Sequence, residues 1–337
     1  MVRRILAIIL IALAIGIALT SAVLAFTPLG TTLFAQTTPT ATPLPPPTPT
    51  PKPTPILTVV GEPPTLNVKA AYLLDADTGH TLDDFHGEVP LPMASTTKIM
   101  TAVIALQTGN LDQVITVQQD AIDEVINNDG SSAQLKVGDK LTLRELLYGL
   151  LLPSGDDAAI AIADGLSGSQ DNFVNVMNIF AYRLHLFQTH YINADGLTYY
   201  NSSNVPLPGH YTSAYDLVRL AQYAMKIPLF AQIVKTPQYV LPASGDHHAY
   251  TWITTNALLS RINLGDAPTI QPYAGTTGIK TGYTLEAGSC LVFSATRNNH
   301  HLEGVILGST SYTQRFLDAT TLLNWGFGLP LRIPTSP

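Results

Sequence analysis

The pattern of hydrophobic and polar positions changes character twice along the chain. Ile5–Phe26 is 22 residues without a charge. As a helix it would be about 33 Å long, enough to cross a bilayer. Pro39–Pro55 has no apolar period: 9 of its 17 residues are Pro and 5 are Thr. Proline fixes φ and lacks an N–H, so the segment predicts an extended polyproline spacer of about 53 Å. From about Leu57 the pattern is that of a folded body. Ala70–Asp75 reads as a buried strand, Asp77-Thr78-Gly79 as a hairpin turn and His80–Phe85 as the partner strand. Ser95–Leu106 carries Ile99, Met100, Val103, Ile104 and Leu106, a spacing that predicts a buried helix with Ser95 near its start. Leu141–Leu152 predicts a Leu-rich helix that begins near Thr142. Asp157–Leu166, Asp171–Leu186 and Ser213–Met225 predict further helices. Gly278–Thr284, Ser289–Arg297 and Leu302–Gly308 read as short strands, and Gln314–Trp325 as a closing helix.

Strands at both ends of the body and helices between them predict an α+β fold. Its antiparallel sheet of about five strands would be flanked by helices, with a mostly helical subdomain. The linear division is an N-terminal membrane anchor or signal segment at 1–30, a Pro/Thr-rich disordered stalk at 31–60, a folded domain at 61–330 and a C-terminal tail at 331–337.

Composition sharpens this picture. Of the 337 residues, 46% are hydrophobic and 12% charged, which suits a sizeable core and excludes global disorder. The net charge is −7. Residues 1–56 contribute +3 through Arg3, Arg4 and Lys52, so the remainder carries −10. An acidic body argues against a nucleic-acid partner. Arg3-Arg4 favours a cytoplasmic N-terminus ahead of a single-pass span. The apolar run is longer than the 7–15 residues usual for a secretory signal. A cleaved signal remains the alternative, with Val23-Leu24-Ala25 or Leu33-Phe34-Ala35 as the cleavage site. Either way the body lies outside the cytoplasm, at the cell membrane or secreted. Cys290 is the one cysteine; it cannot form an internal disulfide or a Cys cluster, and reads as a small buried hydrophobe. His247-His248 and His300-His301 fall in expected loops or turns, and no His-Glu-x-x-His spacing exists. No metal and no cofactor is expected, so catalysis would come from hydroxyl, amine and carboxylate groups.

Three short motifs carry such groups. In Ser95-Thr96-Thr97-Lys98, residues three apart share a helix face, so the hydroxyl and the amine come within reach. A neutral Lys can take the proton that makes a hydroxyl nucleophilic. Alone, the pattern equally describes a helix-capping serine followed by a solvated lysine. Ser154-Gly155-Asp156 follows the Leu-rich helix and would by itself be a turn with a helix cap. Lys280-Thr281-Gly282 lies in an expected strand, where Lys and Thr suit a substrate carboxylate and Gly allows close backbone approach. An edge strand with an exposed Lys is the plain alternative. Asp120, Asp123, Glu124 and Asp129 form an acidic patch that reads as a solvated face, with a cation or substrate-amine contact as the alternative, and Tyr199-Tyr200-Asn201 reads as part of a packed loop rather than the lining of a saccharide groove.

The ordered trio is shared by class A β-lactamases and penicillin-binding proteins. With its surroundings the chain resembles the D-alanyl-D-alanine carboxypeptidase family of low-molecular-mass penicillin-binding proteins. The residues concerned are Pro92–Ala102 (PMASTTKIMTA), Leu152–Ala159 (LPSGDDAA), Asp195-Gly196-Leu197, Thr277–Thr284 (TGIKTGYT) and Glu286-Ala287-Gly288. The likeness spans roughly 65–327 and implies a β-lactamase/transpeptidase-like fold. It implies that Ser95 attacks the bond between the last two D-alanines of a peptidoglycan stem peptide, that Lys98 takes its proton and that Ser154 relays a proton to the leaving amine. Asp156, Lys280, Thr281, Gly282 and Tyr283 would bind substrate, with the N–H groups of Ser95 and Tyr283 as the oxyanion hole. β-Lactam antibiotics would be covalent inhibitors. The alternatives are a DD-endopeptidase, a β-lactamase-like hydrolase or a non-catalytic β-lactam or cell-wall sensor. No Glu-x-x-Leu-Asn segment of the class A β-lactamase kind is present.

Three departures stand out. The second motif ends in Asp156 where the family usually has Asn, so Asp156 is expected to pair with Lys280 or to slow acylation. His300-His301 stands where family members often carry an Arg on the strand after Arg297. The chain ends soon after Trp325, without room for an extra C-terminal β domain or a tail helix, so the N-terminal segment is expected to do the anchoring.

Overall fold

A hairpin near residue 75 and three strands after residue 275 meet in one sheet. The computed structural model describes residues 55–261 and 269–332. In chain order, β1 (Ile56–Leu57), β2 (Ala70–Asp75) and β3 (His80–Phe85) precede a 3-10 turn at Ala94–Thr97 that runs into α1 (Lys98–Thr108). Then come β4 (Val114–Thr116), α2 (Gln119–Asn128), β5 (Lys140–Thr142), α3 (Leu143–Leu151), α4 (Asp156–Ser167) and α5 (Gln170–Arg183). α6 (Ala214–Met225), α7 (Pro228–Val234), β6 (Gln238–Leu241) and β7 (Tyr250–Ile253) follow. β8 (Thr276–Thr284), β9 (Gly288–Arg297), β10 (His300–Ser309), α8 (Gln314–Gly328) and β11 (Leu331–Arg332) complete the described elements.

The main sheet has five strands in the order β3-β2-β10-β9-β8, each antiparallel to its neighbours. This is the expected α+β architecture. The sheet is buried on both faces, which explains the unbroken apolar run of β2. Ala70, Tyr72 and Leu74 pack into a large core with α1, α3, α4 and α6. Ala71 and Leu73 point the other way, into a smaller core with Phe316, Ala319, Leu322 and Leu323 of α8. α1 runs through the large core and is buried from Lys98 to Ala105.

The expected helix at Ser95–Leu106 begins as a tighter turn. Thr96 Oγ1 donates to the Met93 carbonyl at 2.6 Å and Thr97 Oγ1 to that of Ala94 at 2.8 Å. Two hydroxyls bonding three residues back favour the 3-10 form. α3 starts where Thr142 suggested, through a reciprocal cap: Glu145 N–H donates to Thr142 Oγ1 at 3.2 Å, and Thr142 N–H to Glu145 Oε2 at 2.7 Å. The sequence pattern does not predict α2, α7 or the short strand pairs β4–β5, β6–β7 and β1–β11. The strands of these pairs are two to four residues long, too short for a periodic pattern. β1 and β11 straddle the expected boundaries at 60 and 330: Ile56 pairs with Arg332 and Leu57 with Leu331. Among the described residues no helix is long and apolar enough to cross a membrane. The expected anchor at 1–30 and residues 31–54 of the expected stalk lie outside the described residues.

One buried acid makes stability depend on pH. Glu303 of β10 is 6% exposed and its Oε2 has no hydrogen-bond partner. Burial pushes its carboxyl from the ordinary 4.5 up to about 7, with Lys226 opposing and Asp77 adding to the rise. A carboxyl raised on folding contributes stability below its unfolded value, and that contribution is lost as pH rises through the folded value. Glu303→Gln should therefore melt above wild type at pH 8, by the equivalent of about 1–3 kcal/mol. The gap should close near pH 4. Thermal melts at the two pH values check this; an equal gap at both would contradict it.

Candidate active site

The cleft forms where the 3-10 turn, the start of α4 and the edge strand β8 converge. Its lining includes Ser95, Ser154, Thr281, Gly282 and Tyr283, and it encloses about 240 Å³. An adjoining, more apolar hollow is lined by Pro92, Ile192, Leu197, Tyr199, Pro208 and His210, and none of the serines, lysines or threonines of the three short motifs with candidate chemistry lines it. The chemistry therefore belongs to the first cleft.

Lys98 is fully buried beneath Ser95. Its ammonium donates to Ser95 Oγ at 3.0 Å, to the Asp195 carbonyl at 2.8 Å and to Asp156 Oδ1. On the opposite wall, Lys280 Nζ donates to Ser154 Oγ at 2.9 Å and to the Thr281 carbonyl at 2.8 Å. Lys280 is held well below its ordinary value by burial, with the nearby Lys98 charge adding and Asp156 opposing. Ser154 sits at φ 69°, in the left-handed region, which turns its hydroxyl toward Lys280 just before α4 begins. Thr281 Oγ1 shares a hydrogen bond with Thr255 Oγ1 at 2.5 Å. Tyr283 is 59% exposed at the rim.

Two of the expected substrate contacts are buried. Asp156 is completely buried under the cleft. Its Oδ1 takes the Lys98 ammonium and its Oδ2 accepts from Ser131 N–H at 2.6 Å, so neither oxygen faces substrate. Its cationic partner is Lys98, not Lys280. Burial pushes the Asp156 carboxyl up to about 7, with Lys98 opposing and Asp195 adding. Lys280 is likewise 1% exposed and reaches the cleft through Ser154. Gly282 does allow a close approach, but of the protein to itself. A Cβ there would lie 3.1 Å from Ser95 N, Met93 O and Ala94 Cβ, so the missing side chain lets β8 lie against the serine turn.

Several supporting residues escaped the sequence reading. His210 Nδ1 accepts from Ile192 N–H at 3.1 Å, and Nε2 lies 2.7 Å from Thr97 Oγ1. Burial lowers the ring to about 3, so it is neutral and Nε2 carries the hydrogen donated to Thr97. This braces the serine turn from behind. Asp157 binds the N–H groups of Ala133 and Leu135 and the Ser132 hydroxyl at 2.8–3.1 Å, fixing the loop that carries Ser131. Arg315 of α8 is 1% exposed yet lines the cleft. Its Nη1 donates to the carbonyls of Gly282 at 2.8 Å and Cys290 at 3.2 Å, and its guanidinium lies over the Tyr312 ring. No local pattern marks it, because it is an ordinary arginine in an amphipathic helix until the fold brings it to β8. His300-His301, by contrast, begins β10, where His301 Nδ1 meets Asp77 Oδ1 at 2.7 Å. Cys290 is buried as expected. The acidic patch divides: Asp129 lines the cleft, while Glu124 turns inward and accepts from the Tyr199 hydroxyl at 2.9 Å.

Comparison with known proteins converges on one family. The family model described as D-alanyl-D-alanine carboxypeptidase matches residues 58–311. A D-alanyl-D-alanine carboxypeptidase of Streptomyces sp. strain K15 is 41% identical over 278 residues, which span 79% of this chain and 89% of that one. The carboxypeptidase DacF of Bacillus subtilis is 33% identical over 265 residues, 77% of this chain but 62% of the relative. The crystal structure of the Streptomyces K15 DD-transpeptidase matches with a TM-score of 0.71 at 37% identity, covering 80% of this chain and 100% of that one. A D-alanyl-D-alanine carboxypeptidase from Mycobacterium tuberculosis gives 0.68 at 29% identity, over 83% and 96% of the two chains.

Gly196 offers a direct test of how tightly the serine turn is held. It sits at φ +98°, and a Cβ would lie 2.0 Å from the Ala94 carbonyl oxygen, one residue before Ser95. Gly196→Ala should displace the turn, and a misplacement of about 1 Å can cost roughly a hundredfold in rate. Penicillin acylation should slow by about tenfold or more, with a lowered melting temperature. An unchanged acylation rate would show that the turn tolerates displacement.

Proposed function

Because the chain belongs to the D-alanyl-D-alanine carboxypeptidase family, peptidase S11, we propose that Ser95 removes the terminal D-alanine of peptidoglycan stem peptides through an acyl-enzyme. The observation that carries this reading is the 3.0 Å contact between Lys98 Nζ and Ser95 Oγ, inside a cleft whose other wall holds Lys280 on Ser154. With Lys98 neutral, its nitrogen takes the Ser95 proton as Oγ bonds to the carbonyl carbon. The backbone N–H groups of Ser95 and Tyr283 receive the oxyanion, each donor worth about 3 kcal/mol. The C–N bond then breaks, and the proton that Lys98 took is relayed through Ser154 to the departing amine, which leaves Lys98 neutral again and Ser154 unchanged. Water hydrolyses the ester and returns Ser95. A β-lactam enters the same path, but its amine stays tethered and the ester persists.

Thr281, Thr255 and Arg315 are the groups proposed for the substrate carboxylate. They combine two hydroxyls with a guanidinium at the cleft, and the buried Lys280 amine lies behind them on Ser154. This answers the missing strand arginine with a cation from α8. We also propose that the body works outside the cytoplasm, tethered by Ile5–Phe26 and the Pro/Thr-rich spacer; the support is the length of the apolar run and Arg3-Arg4. A second reading is transpeptidation, in which an amine replaces water at the acyl-enzyme. It is favoured by the name DD-transpeptidase given to the solved Streptomyces K15 relative.

Mass spectrometry of the full chain after penicillin exposure should find one adduct, on the peptide containing Ser95, and none in Ser95→Ala. Pentapeptide should release D-alanine. Added amino-acid acceptor distinguishes hydrolysis from transfer, and cross-linked dimer tests endopeptidase action. Rapid release of hydrolysed penicillin would point to a β-lactamase-like enzyme. An adduct without peptide turnover would overturn the peptidase reading in favour of a sensor.

Asp156 supplies the second test. Its carboxylate touches the Lys98 ammonium, and opposite charges in contact favour the charged forms. A charged Lys98 cannot accept the serine proton. Asp156→Asn should therefore move the rising limb of the acylation profile to lower pH and raise the rate at pH 7. Superimposable profiles for the two proteins would remove Asp156 from the account.

A further inference from the structure

A second cluster of reactive side chains lies away from the cleft, where β2 enters its hairpin and β10 begins. Leu302 pairs with Asp75 across the two strands. Beyond it the backbones interlock: Ala76 N–H donates to the His301 carbonyl, and His301 N–H donates to Asp77 Oδ2, each at 2.9 Å. This arrangement brings one oxygen of Asp75, one of Asp77 and a ring nitrogen of His300 within 4.8 Å of one another. Asp75 is completely buried. Its Oδ1 accepts from Asp77 N–H at 3.1 Å, but its Oδ2 has no hydrogen-bond partner. His300 Nδ1 is also buried without a hydrogen-bond partner, 3.5 Å from Asp77 Oδ2.

Contacts with the two histidines account for Asp77, which lies 3.5 Å from His300 Nδ1 and 2.7 Å from His301 Nδ1. They leave the Asp75 oxygen unanswered. A buried carboxylate oxygen without a donor is costly, and buried charges are ordinarily paired or coordinate a metal. We propose that Asp75 Oδ2, Asp77 and His300 Nδ1 hold a divalent transition ion of the Zn²⁺ class. Two carboxylates and an imidazole suit Zn²⁺ or Mn²⁺ better than Ca²⁺ or Mg²⁺, which prefer oxygen alone. Ligand atoms in a tetrahedral zinc shell lie roughly 3.4 Å apart, so a modest contraction of the cluster completes three protein ligands and leaves a fourth position for water.

The sequence expectation of no metal rested on local spacing. These ligands come from a hairpin and from a strand more than two hundred residues later, which no local motif reveals. The site is separate from the chemistry. Lys280 aligns through Val292 and Val305 with Tyr72, three residues before Asp75 and three strands away. An ion there fastens the β2–β3 hairpin to the start of β10, so its effect is on the fold.

The test uses the full chain, produced without a polyhistidine tag, stripped with a chelator and titrated with Zn²⁺. One equivalent should bind and raise the melting temperature. His300→Ala and Asp75→Asn should each weaken binding by about tenfold or more. The second keeps the side-chain shape and the acceptor for Asp77 N–H. His248→Ala, at a histidine that contacts Asp139, should bind as wild type. Penicillin acylation, expected to be unchanged in all three, reports whether each variant is folded. In wild type, Zn²⁺ should also slow carbethoxylation of His300 itself, a readout that needs no variant. Absence of stoichiometric binding, equal affinity in every variant or an unprotected His300 would overturn the site.

Discussion

A lysine ammonium sealed from water must find an oxygen for each of its three hydrogens, and Lys98 is such a group. Its three acceptors come from three places: the serine turn, the first residue of α4 and the loop at Asp195. None can move without stranding a buried charge. The rest of the site is arranged around this requirement. The 3-10 turn, the Thr97–His210 brace and the Asp157-bound loop each keep one of those acceptors, or its neighbour, in place.

Close packing reinforces the constraint. Gly196 and Gly282 approach the serine turn from different sides, and a Cβ on either would collide with or crowd the backbone at Met93–Ser95. The turn is held between two glycines and supported by one ammonium. Its geometry therefore precedes substrate, as expected where catalysis depends on groups already aligned before the reaction begins. Asp156 adds a conflict of demands. The carboxylate that neutralises the buried ammonium also opposes the neutral amine that the proposed proton transfer calls for. Stability and reactivity pull on this contact in opposite directions.

The main elements were legible because their patterns are long and their causes local. Ala70–Asp75 is a strand buried on both faces, and the Leu-rich α3 begins at a reciprocal Thr142–Glu145 cap. The motif serines and lysines were legible through their spacing and order. What a residue faces was less so. Asp156 and Lys280 carry motif positions that suggest substrate contacts, yet Asp156 is buried against Lys98 and Lys280 behind Ser154, because burial is decided by what packs above them. Arg315 and His210 gave no sign, since each acquires its role from a partner more than thirty residues away. The Asp75–His300 cluster was hidden for the same reason, and the two-to-four-residue strand pairs were too short to show a period.

The cleft draws Ser95, Ser154, Thr281 and Arg315 from the 3-10 turn, the loop before α4, the edge strand and the last helix. No single element holds two of them, and the sheet joins a hairpin near residue 75 to strands near residue 300. Vulnerability to an acylating antibiotic is thus a property of the finished molecule. A nascent chain whose late strands have not yet closed on the early hairpin carries the serine and the lysine side by side, and remains invisible to the drug.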